Sequence, residues 1–200
     1  MNPSPPRWAT ALLAGLVLLL AGCATTYQRG LAALHDGRYL DAATRFGEVL
    51  ADDPERADAL VGLGLARYRL NAFAQAATSL ERAVLALPDH ADARFYLALT
   101  SLALEDQAAA VRHLDALTRL DVHPRIAAQV SRAAALLRGG PLPAETREFV
   151  RKSLEDEADW HRELLEERLA PHMYLGPTWF VYDPAGWSPL GWYPYGVPRP

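Results

Sequence analysis

Thirty-four residues separate Gly30 from Gly64, Ala42 from Ala76, Phe46 from Leu80 and Pro54 from Pro88. A period of this size marks stacked supersecondary units, each too small to bury its own apolar face alone. A third copy runs from Ala91 to Pro124. It has Ala98 at the first small position, Ala110 at the second and Leu114 at the large one, and two extra residues precede its proline. Each recurring position has a physical role. Gly30, Gly64 and Ala98 are small where one helix meets the next closely, and Ala42, Ala76 and Ala110 are small on the facing side. Tyr39 and Phe73 fill the space near the turn within each unit, and Asp36-Gly37 makes that turn in the first. Pro54, Pro88 and Pro124 fall at the junctions between units, where a first helical position tolerates a missing N–H. Asp53 is a good N-cap directly before Pro54. The expectation is an all-α fold of helix–turn–helix units.

The length and these positions resemble the tetratricopeptide repeat. The resemblance implies a solenoid of about three repeats, over 23–56, 57–90 and 91–124. Residues 124–138, an alanine-rich amphipathic stretch ending at Gly139-Gly140, would cap its open end, giving a domain over 23–138. Thr26 stands where the family often has tryptophan, and the third junction is lengthened. In the family the first helix of each repeat lines a concave groove that binds peptides or partner helices. The positions so implied are Tyr27, Leu31, Val61, Leu65, Tyr68, Arg69, Phe95, Leu99 and Leu102. Tyr27 and Leu31 occupy first-repeat positions of the basic clamp used by chaperone-binding relatives, so that activity is not expected. The groove residues either receive a partner segment or pack against the chain's own C-terminal part.

Upstream of the repeats, a short segment carrying Arg7 precedes an apolar run over 11–21 that is too short to span a bilayer. It ends in Leu20-Ala21-Gly22-Cys23, and Cys23 is the only cysteine. This sequence resembles the lipobox of bacterial lipoproteins. The resemblance implies a signal peptide over 1–22, removal before Cys23, and lipid on the Cys23 thiol. Two or three acyl chains hold a protein stably at a membrane, whereas one does so marginally. Ala24 follows where aspartate would resemble the inner-membrane retention signal of enteric bacteria, so the implied address is the periplasmic face of the outer membrane. Thr25 and Gln28 have capping-box spacing, starting the first helix near Thr26. The leash from Cys23 is then under about 10 Å, at roughly 3.3–3.6 Å per residue.

After the repeats, residues 139–170 read as a linker and an amphipathic helix. Phe149, Val150, Leu154, Ala158, Leu165 and Leu169 recur at helical spacing among many charges. Residues 171–200 form an irregular tail holding seven of the 15 prolines and eight of the 18 aromatic residues. Proline at that density forbids a regular helix, though Trp179–Tyr182 has room for a short strand. The aromatic side chains favour burial on the repeat groove, at a lipid headgroup layer or on another protein.

Formal net charge is -4, and removing residues 1–22 takes away Arg7 and no acid. That balance excludes an electrostatic nucleic-acid binder. The six histidines make no zinc-protease pattern or close metal pair, and neither a phosphate loop nor a nucleophile elbow occurs. No catalytic residue, metal site, cofactor or small-molecule substrate is expected. The reading is a lipid-anchored envelope scaffold that binds a protein partner. The alternative is a structural lipoprotein whose aromatic tail contacts the membrane interface or peptidoglycan.

Overall fold

The computed structural model describes residues 26–173, with side chains placed as far as Trp160. The lipobox Leu20-Ala21-Gly22-Cys23, the capping-box Thr25 and the tail beyond Met173 lie outside the described residues, as do the side chains of Leu165 and Leu169.

Eight helices and no strand occur among the described residues. They are α1 (26–35), α2 (Tyr39–Asp52), α3 (Ala57–Arg69), α4 (Phe73–Ala86), α5 (Ala91–Ala103), α6 (Gln107–Leu117), α7 (Pro124–Arg138) and α8 (Ala144–Met173). Helices α3 to α7 each pack against the next in sequence, as α2 does against α3. Within each repeat the second helix is simply amphipathic. It buries Ala42, Phe46 and Val49 in α2; Ala76, Leu80 and Ala83 in α4; and Ala110, Leu114 and Leu117 in α6. Each triplet has i, i+4, i+7 spacing, which places all three side chains on one face. The first helices are different: α5 buries nearly every side chain, because neighbours surround it.

The small positions are small for a steric reason. A Cβ added at Gly30 would lie 2.9 Å from the Phe46 ring, and one at Gly64 would lie 2.5 Å from Leu80. Gly62, which is not part of the 34-residue pattern, meets the same Phe46 ring at 2.4 Å. The repeat also extends to the backbone. Gly37, Asn71 and Glu105, at successive 34-residue steps, all have positive φ (71°, 58° and 65°) in the turns between paired helices. Glycine adopts this conformation freely and asparagine tolerates it, whereas glutamate does so at a steric cost.

Two sequence expectations need correction. Pro54 and Pro88 do not open helices. Each lies in the turn preceding the next helix, and α3 and α5 begin three residues later at Ala57 and Ala91. Asp53 accordingly serves as the C-cap residue of α2, not as an N-cap. A backbone bond from the Arg56 N–H to the Asp53 carbonyl closes this turn, and one from His90 to Leu87 closes the equivalent turn. Pro124 does occupy the first turn of its helix. Phe149 is not on the buried stripe of α8 and is 72% exposed, since burial follows Val150, Leu154 and Ala158. Phe149 precedes that i, i+4, i+8 row by one residue, about 100° around the helix.

His113 on α6 gives the array a pH dependence. Its Nδ1 is buried without a hydrogen-bond partner among the described residues. Burial, with Arg94 and Arg112 nearby, pushes its pKa down to about 4, against a smaller upward pull from Asp106. A depressed histidine favours the fold while neutral, so this contribution is complete above the unfolded value of about 6.5 and is lost as pH falls towards 4. His113→Leu should therefore flatten the fall in unfolding free energy between pH 7 and pH 4, read from urea melts. Parallel wild-type and variant curves would refute this.

Candidate interaction surface

The side chains implied as groove residues come from α1, α3 and α5, the first helices of the three repeats. Tyr27, Val61, Tyr68, Phe95, Leu99 and Leu102 are buried, while Leu31, Leu65 and Arg69 are half-buried. The structure does not bring these residues into one continuous open cleft. They divide into two stretches with different surroundings.

At the first-repeat end, Tyr27 packs edge-on to Phe46 with ring centroids 5.7 Å apart. The Arg56 guanidinium covers its other side at 4.5 Å from the ring centroid. Burial, then Asp58, raises the pKa of the Tyr27 hydroxyl, with Arg56 opposing. Asp58 itself accepts from Arg56 Nε at 2.8 Å. Leu31, packed against this cluster, remains half-exposed, whereas the half-exposed Leu65 packs against the larger cluster that holds Phe95.

At the second- and third-repeat end, α8 takes up the surface. It packs on α5 and α7 and reaches back to Tyr68 and Arg69 at the C-terminal end of α3. Arg69 Nη1 donates to Glu155 Oε1 at 2.8 Å, and its Nη2 donates to Asp159 Oδ1 at 2.5 Å and to the Tyr96 hydroxyl at 3.3 Å. Tyr68 donates to Glu155 Oε2 at 3.1 Å and accepts a short bond from Arg151. Arg151 also pairs with Glu155 at 3.1 Å and binds Glu148 through Nε at 2.7 Å. Tyr68 stands at the centre of an aromatic group, 5.3 Å from Tyr96 and 5.6 Å from Phe73.

The charges in this seam are mutually compensated. Burial alone would lower the pKa of the Arg69 guanidinium, but Tyr96, Asp159 and Glu155 together raise it. The hydrogen bond to Glu148 raises Arg151, and the same contact lowers Glu148. Burial, followed by Glu155, raises the Tyr68 hydroxyl against the pull of Arg151. At the far side of α8, Arg125 pairs with Glu157 and stacks 3.9 Å above the Trp160 ring.

Three residues that matter here were not singled out from the sequence: Tyr96, Arg151 and Asp159. Glu155, Asp156 and Glu157 read in the sequence as solvated acids of a charged helix, but Glu155 is drawn into the seam by Arg69 and Glu157 is covered by Arg125. Tyr96 had a usable signal, since it lies one turn from Leu99 on the same helix. The carboxylates had only their i, i+4 spacing, which is common on solvated helices. Among the described residues no group of three histidine, cysteine or acidic side chains is placed to hold a metal, and no helix is long and apolar enough to cross a membrane.

Paired helices stacked at a fixed repeat, with the first helices α3 and α5 also in contact, define a solenoid. The tetratricopeptide-repeat model matches residues 27–84 and again 67–121, so this stretch is built of tetratricopeptide repeats. No curated protein matches the chain.

Proposed function

We propose that this protein is a lipid-anchored scaffold of the bacterial cell envelope that binds a protein partner through its repeats. The observation that carries the scaffold reading is the repeat array itself, whose first helices carry half-exposed Leu31 and Leu65 and, at the end of α3, a seam of arginine, tyrosine and carboxylate side chains. Repeat solenoids use such extended faces for binding. The lipid anchor rests on Leu20-Ala21-Gly22-Cys23, and the periplasmic face of the outer membrane is the address proposed from Ala24.

Cys23→Ala should abolish fatty-acid labelling and move the protein from the membrane to the soluble fraction. Continued labelling and membrane retention would refute the anchor. For the scaffold, a photocrosslinking residue at position 31 or 65 in living cells should capture a discrete protein, whereas one at Arg132, on the exposed side of α7, should not. Identical patterns from all three positions would refute binding through this face.

A further inference from the structure

In each of the three repeats the second helix buries an i, i+4, i+7 face, and Phe46 and Leu80 press against Gly30 and Gly64 of the first helix of their own pair. Helix α8 follows α7 in sequence yet does not repeat that arrangement. It folds back across the array, packs on α5 as well as α7, and bonds to Tyr68 and Arg69 of α3. It therefore lies where an added helix would lie on the shared face, and is joined to the array by a short connection at Gly139-Gly140.

Its grip differs from that of a core helix. As far as Trp160, the apolar side chains it buries are Val150, Leu154 and Ala158, while Phe149 and Trp160 stay exposed. The remaining contacts are largely ionic; Arg151 among them is buried, whereas water reaches the pairs of Arg69. The side chains of Arg69, Glu155 and Asp159 are 15%, 17% and 30% exposed. Carboxylates released from such a seam rehydrate readily, so lifting α8 costs less than breaking a fully buried pair would.

We propose that α8 is a displaceable occupant of the repeat face, and that this face selects an acidic amphipathic helix. Resting on the scaffold reading above, the chemistry of the occupant is that of α8 itself. It carries an aliphatic row at i, i+4, i+8 and two carboxylates four residues apart that meet Arg69 as Glu155 and Asp159 do. A partner helix of this kind gains the face only as α8 leaves it, so binding and release of α8 are one equilibrium.

The test uses the full chain and a labelled synthetic peptide of residues 144–160 added in trans. Reversing the two carboxylates (E155R with D159R) should speed hydrogen exchange across 148–160 by about a hundredfold while α5 stays protected. It should also tighten peptide binding by about tenfold or more relative to wild type, in which the tethered helix competes. Adding R69E to that variant should restore protection of α8 and weaken binding of the acidic peptide. The proposal is overturned if α8 stays protected in E155R/D159R, if α5 loses protection along with it, or if the peptide binds wild type and variant equally. A partner crosslinked from positions 31 and 65 equally in wild type and variant would preserve the scaffold and overturn the displacement.

Discussion

Phe46→Ala should cost about 3–5 kcal/mol, the range for truncating a fully buried phenylalanine. The upper part of that range is expected because the ring is enclosed by surfaces that cannot follow it inwards. Gly30 and Gly62 present bare backbone to it, and Tyr27 meets it edge-on. The loss should also be local. Phe46 belongs to a small buried cluster with Tyr27, Ala33, Ala42, Val49, Ala59, Leu63 and Ala66, separate from the larger cluster around Leu80, Phe95 and Leu114. Repeat arrays unfold unit by unit when neighbouring cores are weakly joined. Residue-resolved hydrogen exchange should then show α1 and α2 opening first, with the slowest α5 amides little changed. Equal acceleration in α2 and α5 would show the two clusters to be one cooperative unit. The complementary change, Gly62→Val, overfills the same site, and Phe46→Leu should recover part of its cost in a double-mutant cycle.

Arg69→Ala should cost about 2 kcal/mol, the scale of a hydrogen bond to a charged group. The 3–5 kcal/mol typical of breaking a fully buried pair is too large here. Glu155 keeps Arg151 as a partner at 3.1 Å, and Asp159 is open enough to be hydrated. The cost should appear as loss of α8 docking, so Arg69→Ala in a chain ending at Pro143 should be almost silent. A full-sized loss in that shortened chain would assign Arg69 to the stability of α3 and α5 instead. Tyr68→Phe removes one hydroxyl from the same seam and should cost less than Arg69→Ala by the same thermal or urea measurement.

Much of the architecture was legible because the repeat constrains side-chain volume at fixed steps. Phe46, Leu80 and Leu114 could be paired with Gly30, Gly64 and Ala98 by spacing alone, and the glycine contacts give the reason. The turns were only partly legible. Asp36-Gly37 is a familiar turn dipeptide, but Asn71 and Glu105 share its positive φ, and glutamate carries no such signal. Pro54 and Pro88 were misplaced by three residues because a proline permits a helix start without requiring one. Here a short turn intervenes before Ala57 and Ala91.

The interaction surface was the least legible part. Tyr68 and Arg69 could be placed on the first helix of their repeat, yet their surroundings depend on where a segment more than eighty residues away comes to rest. Val150, Leu154 and Ala158 announce a buried stripe without naming what buries it, and Glu155 and Asp159 read as ordinary solvated charges until Arg69 stands opposite.

The sequence by itself determined the 34-residue unit, the small residues that let paired helices approach, and the all-α character, because these follow from local periodicity and side-chain volume. Only the tertiary structure decided that α8 turns back over α5 and α3 instead of extending the array. That choice rests on the burial of Val150, Leu154 and Ala158 and on the contacts of Tyr68 and Arg69 with Glu155 and Asp159, whose energies exist only once distant segments meet.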